Sequence, residues 1–240
     1  MPETDGVVVV LAHAAWTDGS SWNKVIAGLR SAGVKAVAAP LPLTTLADDV
    51  AALDQTLERV DGPVVVAGHA YAGAVIASTS NEKVASLVYV TALAPDEGET
   101  VSDVYYWAEH HSEAPALGPD RHGLIWLPEE AFSRAFAQHA SPLEQALLAA
   151  TQRPLAAACI SVPVRRPLWK DRPSWFFVAE EDRMIPAETQ RFMAERMKAR
   201  VRAAPADHVP MITRASAVVD VLREAVREVE PNLKKESSHG

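Results

Sequence analysis

The side chains best suited to chemistry are an aspartate and a histidine, each just past an apolar run. Phe176-Phe177-Val178-Ala179-Glu180-Glu181-Asp182 reads as a strand entering an acidic loop, and Ala206-Asp207-His208-Val209-Pro210 puts a histidine beyond the following strand. In such a pair the carboxylate accepts a hydrogen bond from one ring nitrogen, which fixes the tautomer and leaves the other nitrogen free to act as a base. Either residue alone is more often structural or solvated. At the ends of successive strands, on one edge of a sheet, they are expected to form a functional dyad. Glu180, Glu181 and Asp207 are rival carboxylates, and Asp182 is preferred for its interval from the strand and for the Ile185-Pro186 that follows.

Upstream, Gly68-His69-Ala70-Tyr71-Ala72-Gly73 joins an apolar run to a helix of small residues. That is the setting of a Gly-x-Ser-x-Gly turn, which projects a serine hydroxyl above a sheet. Here Ala70 stands at the nucleophile position and has no oxygen to attack with. Gly68 and Gly73 suit close backbone approach, and Ala72 is still small enough for the turn to form. The order nucleophile position, acid, histidine is one of the orders in which catalytic triads occur. The first apolar run ends in Leu11-Ala12-His13-Ala14-Ala15-Trp16, so the backbone N–H groups of Ala15 and Tyr71 are expected to point at one oxygen as an oxyanion hole. The helix dipole behind Tyr71 would reinforce them. His13 is expected to brace its loop and His69 to pack inside the fold.

These residues need a scaffold. Val7 to Ala12, Val34 to Ala39, Pro63 to Ala67 and Ala85 to Thr91 are short β-branched or alanine-rich runs without alternation, which suits strands buried on both faces. Between them lie helical patterns: one capped by Ser20 or Ser21 with Trp22, Val25, Ile26 and Leu29, another over Leu46 to Val60 with Val50, Leu53 and Leu57 on one face. The alternation predicts an α/β fold with a mostly parallel sheet. After Pro95 it stops. Residues 96–173, rich in aromatics and histidines and with a helix expected over Glu129 to His139, form the candidate lid. The core is then 1–95 and 174–230, closing with a helix from Ser216 to Val229, and 231–240 is a polar tail expected to fray. Trp16, Tyr105, Tyr106, Trp107 and Trp126 are candidates for lining a substrate crevice. For any one of the aromatics, packing on its neighbours is the simpler role.

Composition narrows the function classes. A chain of 240 residues, 48% hydrophobic and 22% charged, can bury one sizeable core. A net charge of −8 with no long basic run argues against nucleic acid and anionic lipid. The early apolar run is far shorter than the roughly 20 residues of a membrane span, and no positively charged segment precedes it, so a cytoplasmic protein is expected. The single cysteine, Cys159, excludes an intrachain disulfide and a multi-cysteine zinc site and is expected to be a small core residue. A small-molecule substrate and a monomer or homodimer are the expected partners.

Three runs carry a resemblance: His13-Ala14-Ala15-Trp16-Thr17-Asp18-Gly19-Ser20-Ser21-Trp22, Gly68-His69-Ala70-Tyr71-Ala72-Gly73-Ala74-Val75-Ile76 and Leu87-Val88-Tyr89-Val90-Thr91-Ala92-Leu93-Ala94-Pro95. They resemble the α/β-hydrolase superfamily, especially its small bacterial esterase-like members and the related plant hydroxynitrile lyases and methyl-ester hydrolases. The resemblance spans nearly the whole chain. It implies the α/β-hydrolase fold with an inserted helical lid, no cofactor and no metal, and action on a small ester, thioester or activated carbonyl compound. Ala70 departs from the family's serine, and Ala14 and Ala72 stand where glycine is usual. Three readings of Ala70 follow. It replaces a serine by design in a serine esterase; or it marks a natural lyase, isomerase, cyclase or oxygenase that uses His208 and Asp182 as a general base; or the chain binds a ligand without turning it over. Hydrolase ancestry and chemistry rank first, with the serine-less alternatives close behind.

Overall fold

The computed structural model describes residues 6–236. Its centre is a six-stranded sheet, β1 (Val8–Ala12), β2 (Lys35–Ala39), β3 (Val64–His69), β4 (Val84–Val90), β7 (Ser174–Ala179) and β8 (Arg200–Ala204), with β5 (Leu124–Ile125) and β6 (Leu155–Ala156) forming a separate antiparallel pair. The large sheet runs in the order β2-β1-β3-β4-β7-β8, and every neighbouring pair in it is parallel. Each residue of β1, β3 and β7 is buried, which is why these segments show no polar alternation. β8 is the exposed edge, where Arg200 and Arg202 pair with Glu228 and Glu224 of the last helix. The strand order reverses direction at β1 and β3, so the crevice beyond their carboxyl ends is where a ligand is expected.

The helices are α1 (Asn23–Ser31), α2 (Leu46–Glu58), α3 (Ala72–Ser78), α4 (Val101–Tyr105), α5 (Glu129–Ala131), α6 (Pro142–Thr151), α7 (Ala187–Arg196), α8 (Pro210–Thr213) and α9 (Ala215–Glu236). Several expectations need correcting. Neither Ser20 nor Ser21 caps α1: Asp18 accepts from the Ser20 amide at 2.8 Å and caps a short 3-10 turn, Gly19–Trp22, that leads into the helix. On α2 the fully buried stripe is Leu46, Asp49, Leu53, Thr56 and Leu57, so a carboxylate joins Leu53 and Leu57 in the core, and Val50 packs against its margin, half-buried. The helix expected over 129–139 breaks after Ala131 into a π-type turn, Phe132–Phe136, closed by the Ala137 amide on the Phe132 carbonyl at 2.8 Å. The last helix continues past Val229 to Glu236; residues 231–236 of the expected frayed tail are therefore helical, and 237–240 lie outside the described residues.

Between β4 and β7 the chain leaves the sheet and packs across its carboxyl edge. It is pinned there by hydrogen bonds from Trp16 Nε1 to the Ile125 carbonyl (3.0 Å), from the Trp16 amide to the Arg153 carbonyl (2.8 Å) and from the Ala156 amide to the Leu43 carbonyl (3.0 Å). Among the described residues no helix is long and apolar enough to cross a membrane, and no group of three His, Cys, Asp or Glu side chains is placed to hold a metal ion.

Candidate active site

The turn after β3 keeps the geometry of a nucleophile elbow. Ala70 has φ 45°, a left-handed conformation that costs a residue with a Cβ about 1–2 kcal/mol. Its neighbours hold it there: the Ala70 amide donates to the Val90 carbonyl, and the Ala70 carbonyl accepts from the Gly73 and Leu93 amides at 3.0 and 2.9 Å. A Cβ at Gly68 would lie 2.6 Å from the Ala72 carbonyl oxygen, and one at Gly73 would overlap the backbone of Leu93. Those two glycines are steric requirements of the turn. Position 72 is under no such constraint, and its methyl fits among buried neighbours.

The loop after β7 supplies Asp182 and the loop after β8 supplies His208. His208 Nδ1 lies 2.8 Å from Asp182 Oδ2, with both side chains essentially sealed from solvent at 2% and 0% exposure. Asp182 is held in turn: the Met184 and Ile185 amides donate to Oδ1 at 2.7 and 3.0 Å, and Gln190 Nε2 donates to Oδ2 at 3.0 Å. The carboxylate therefore presents a fixed oxygen to Nδ1, which sets the tautomer. The rival acids are engaged elsewhere. Asp207 accepts from the His139 and Val209 amides and from the Thr213 hydroxyl, Glu181 pairs with His139, and Glu180 pairs with Arg191 on the surface. His208 Nε2 has no hydrogen-bond partner among the described residues and fronts the cavity that Ala70 also lines.

That cavity has a volume of about 280 Å³ and is walled mainly by Trp16, Leu93, Val101, Tyr105, Leu117, Ile125, Ile160, Met184 and Ile185. Ala15 and Tyr71 line its floor, and among the described residues neither of their amides is committed to a hydrogen bond. Trp16 and Tyr105 line it as expected, and Tyr106 reaches it from the exposed mouth. Trp107 and Trp126 do not. Trp107 stacks face to face on Phe192 at 4.1 Å and is 44% exposed, and Trp126 is also largely exposed, so both are corrected to positions outside the cavity. Tyr105 ends the short helix α4, and Trp107, just beyond it, is drawn away onto Phe192.

The remaining histidines near the site are fixed as neutral groups. His13 Nδ1 donates to the Ala14 carbonyl at 3.0 Å and its Nε2 accepts from the Leu41 amide at 3.1 Å, an arrangement that needs an uncharged ring; burial pushes its pKa down. His69 Nε2 donates to the His208 carbonyl at 2.7 Å, and burial drives this ring well below the ordinary imidazole range. Its ring lies 4.9 Å from that of His208. Sequence reasoning took His69 for packing and missed this contact. It also missed Leu93, Leu117, Ile160, Met184 and Ile185 in the cavity wall, which are apolar residues in loops or short turns with no periodicity to place them.

The mostly parallel six-stranded sheet with its flanking helices is the α/β-hydrolase fold. The chain belongs to the Alpha/beta hydrolase family, whose profile matches residues 9–221. Similar solved structures include polyneuridine aldehyde esterase, with 19% identity, a TM-score of 0.75 and coverage of 92% of this chain and 99% of that one. A pyrethroid hydrolase from Sphingobium faniae JZ-2 is also similar, at 18% identity and TM-score 0.78, covering 94% and 99% of the two chains. A third is tomato methylketone synthase I complexed with 2-tridecanone, at 20% identity and TM-score 0.76, again covering 94% and 99%. No curated protein sequence matches the chain at a significant level.

Proposed function

We propose that this chain is a cofactor-independent enzyme that acts on a small, mostly apolar carbonyl compound by general acid–base catalysis, without an acyl-enzyme. One observation carries the reading: an intact 2.8 Å His208–Asp182 pair fronts a cavity in which the nucleophile position holds only the Ala70 methyl group. The substrate carbonyl oxygen would lie against the Ala15 and Tyr71 amides, where negative charge that develops on it would be stabilised between apolar walls. His208 Nε2 would take a proton from the adjoining carbon or from a water and return it to the product, with Asp182 stabilising the imidazolium. Residues 96–173 act in this reading as the lid that selects the substrate. The apolar wall fits a ligand such as the 2-tridecanone bound by methylketone synthase I.

A second reading is favoured by the backbone of Ala70. A residue with φ 45° at this point is what a serine nucleophile needs, which supports reading the chain as a serine hydrolase with alanine in place of its serine. Ala70→Ser separates the two when tested with short p-nitrophenyl esters, beside the unmodified chain tested with ketones, β-keto acids and esters. The first reading expects turnover in the unmodified chain that His208→Ala abolishes. Strong ester hydrolysis only after Ala70→Ser, by a factor of up to about 10⁶, would replace it with the second. Tight binding without turnover, indifferent to His208, would mean a ligand-binding protein.

A further inference from the structure

Behind the elbow lies a polar group that the chemistry above does not use. Asp49 faces inward from α2 and is fully buried. Its Oδ2 accepts from the Tyr71 hydroxyl at 2.6 Å and faces Cys159 Sγ at 3.8 Å, and its Oδ1 accepts from the Leu43 amide at 2.7 Å. Among the described residues no cation pairs with it, and its charged neighbour Asp48 is also acidic. Burying an unpaired carboxylate is costly, and an apolar pair of the same shape would serve packing better. A polar trio kept in a largely apolar core therefore calls for a role beyond packing.

Tyr71 supplies that role. It follows the strained Ala70 directly, it lines the cavity, and its amide has no hydrogen-bond partner among the described residues. Strained backbone persists only where its surroundings over-determine it. The Ala70–Tyr71 peptide is held at its oxygen by the Gly73 and Leu93 amides. Its other side is carried by the Tyr71 ring, whose far end is tied to Asp49. We infer that Asp49 is a positioning residue: through the Tyr71 phenol it holds the strained elbow and thereby aims the Tyr71 amide at the substrate oxygen. Leu43, itself at φ 62°, is tied to the same carboxylate, so one buried acid sets two left-handed backbone positions beside the site. Cys159 adds the inserted segment to the cluster, and burial pushes its thiol up to about 12, so it acts there as a neutral donor.

The inference rests on the proposed role of the Tyr71 amide, and the test separates the two. A medium-chain methyl ketone with a ¹³C-labelled carbonyl, 2-nonanone, is bound to the unmodified protein, and its carbonyl stretch is read by infrared spectroscopy. Hydrogen bonding from the amide pair shifts that stretch to lower frequency. Tyr71→Phe, which removes the link, and Asp49→Asn, which replaces its charged acceptor by a neutral one, are each expected to reduce the shift while the ketone still binds, the first by more, and the double variant should lose no more than Tyr71→Phe alone. Tyr71→Phe is the milder change and keeps the test open where Asp49→Asn fails to fold. A full shift retained in Tyr71→Phe would overturn the positioning role. No shift in the unmodified protein would instead overturn the oxyanion assignment.

Discussion

His13 and His69 carry a pH dependence that follows from burial alone. Both rings are held below their ordinary value of 6.5, His69 far below it, so the folded chain resists protonating them where the unfolded chain does not. Below pH 6.5 the unfolded state therefore binds more protons, and stability is full above that pH and is lost as the pH falls toward the folded values. The slope approaches about 1.4 kcal/mol per pH unit for each histidine. Urea unfolding midpoints are expected to fall between pH 7 and 5.5, with a shallower fall in His69→Gln, whose amide keeps a donor for the His208 carbonyl. An identical slope in that variant would refute the assignment for His69. At this scale the chemistry was legible: Asp182, His208 and Ala70 are identified by type and spacing. Of the partners that hold Asp182 and His208, Gln190 is only 8 residues from its acid, whereas His69 and Thr91 reach the His208 carbonyl from 139 and 117 residues away, and nothing in residue type marks any of the three.

The element that decides the site is the β3-to-α3 junction. Gly73 packs against the Leu93 backbone, which cannot withdraw because the Leu93 amide is bonded to the Ala70 carbonyl. Gly73→Ala is expected to destabilise the protein by about 3 kcal/mol or more, at the upper end of overpacking costs. Ala72→Gly should cost only about 1 kcal/mol, the ordinary penalty of glycine in a helix. Denaturant titration of the two variants checks this, and equal effects would sink the steric argument. The strands were readable because a run buried on both faces has one signature. The 129–139 segment was not: its apolar residues fit a helix, yet the π-type turn rotates Phe136 onto Trp16 and His208, with ring centroids 5.9 and 5.2 Å away.

Across the whole molecule, the inserted segment is locked to both loops that carry the dyad. Gln138 Nε2 donates to the Glu181 carbonyl, His139 Nε2 pairs with Glu181, Arg183 donates to the Arg134 carbonyl, and the His139 amide donates to Asp207. Asp207 is the buried hub of this contact, since it also receives the Thr213 hydroxyl at 2.6 Å. Asp207→Ala leaves those donors unpaired and is expected to cost about 2–4 kcal/mol, from roughly 1–3 kcal/mol for each buried unsatisfied group. Thermal unfolding reads the loss. The same variant should weaken ketone binding, because the segment carrying Phe136 loses its anchor to the His208 loop; unchanged affinity would separate the anchor from the site.

By itself the sequence determined the parallel sheet, the chain order of the three key positions, the missing hydroxyl and the two required glycines. Each of these is a property of residue type or short-range spacing. Only the tertiary structure decided that Tyr105 lines the cavity while Trp107 does not, and that Asp49 turns inward to the Tyr71 phenol. These choices depend on contacts between segments 22 to more than 100 residues apart, as in the Tyr71–Asp49 and Cys159–Asp49 pairs, where local periodicity holds no information.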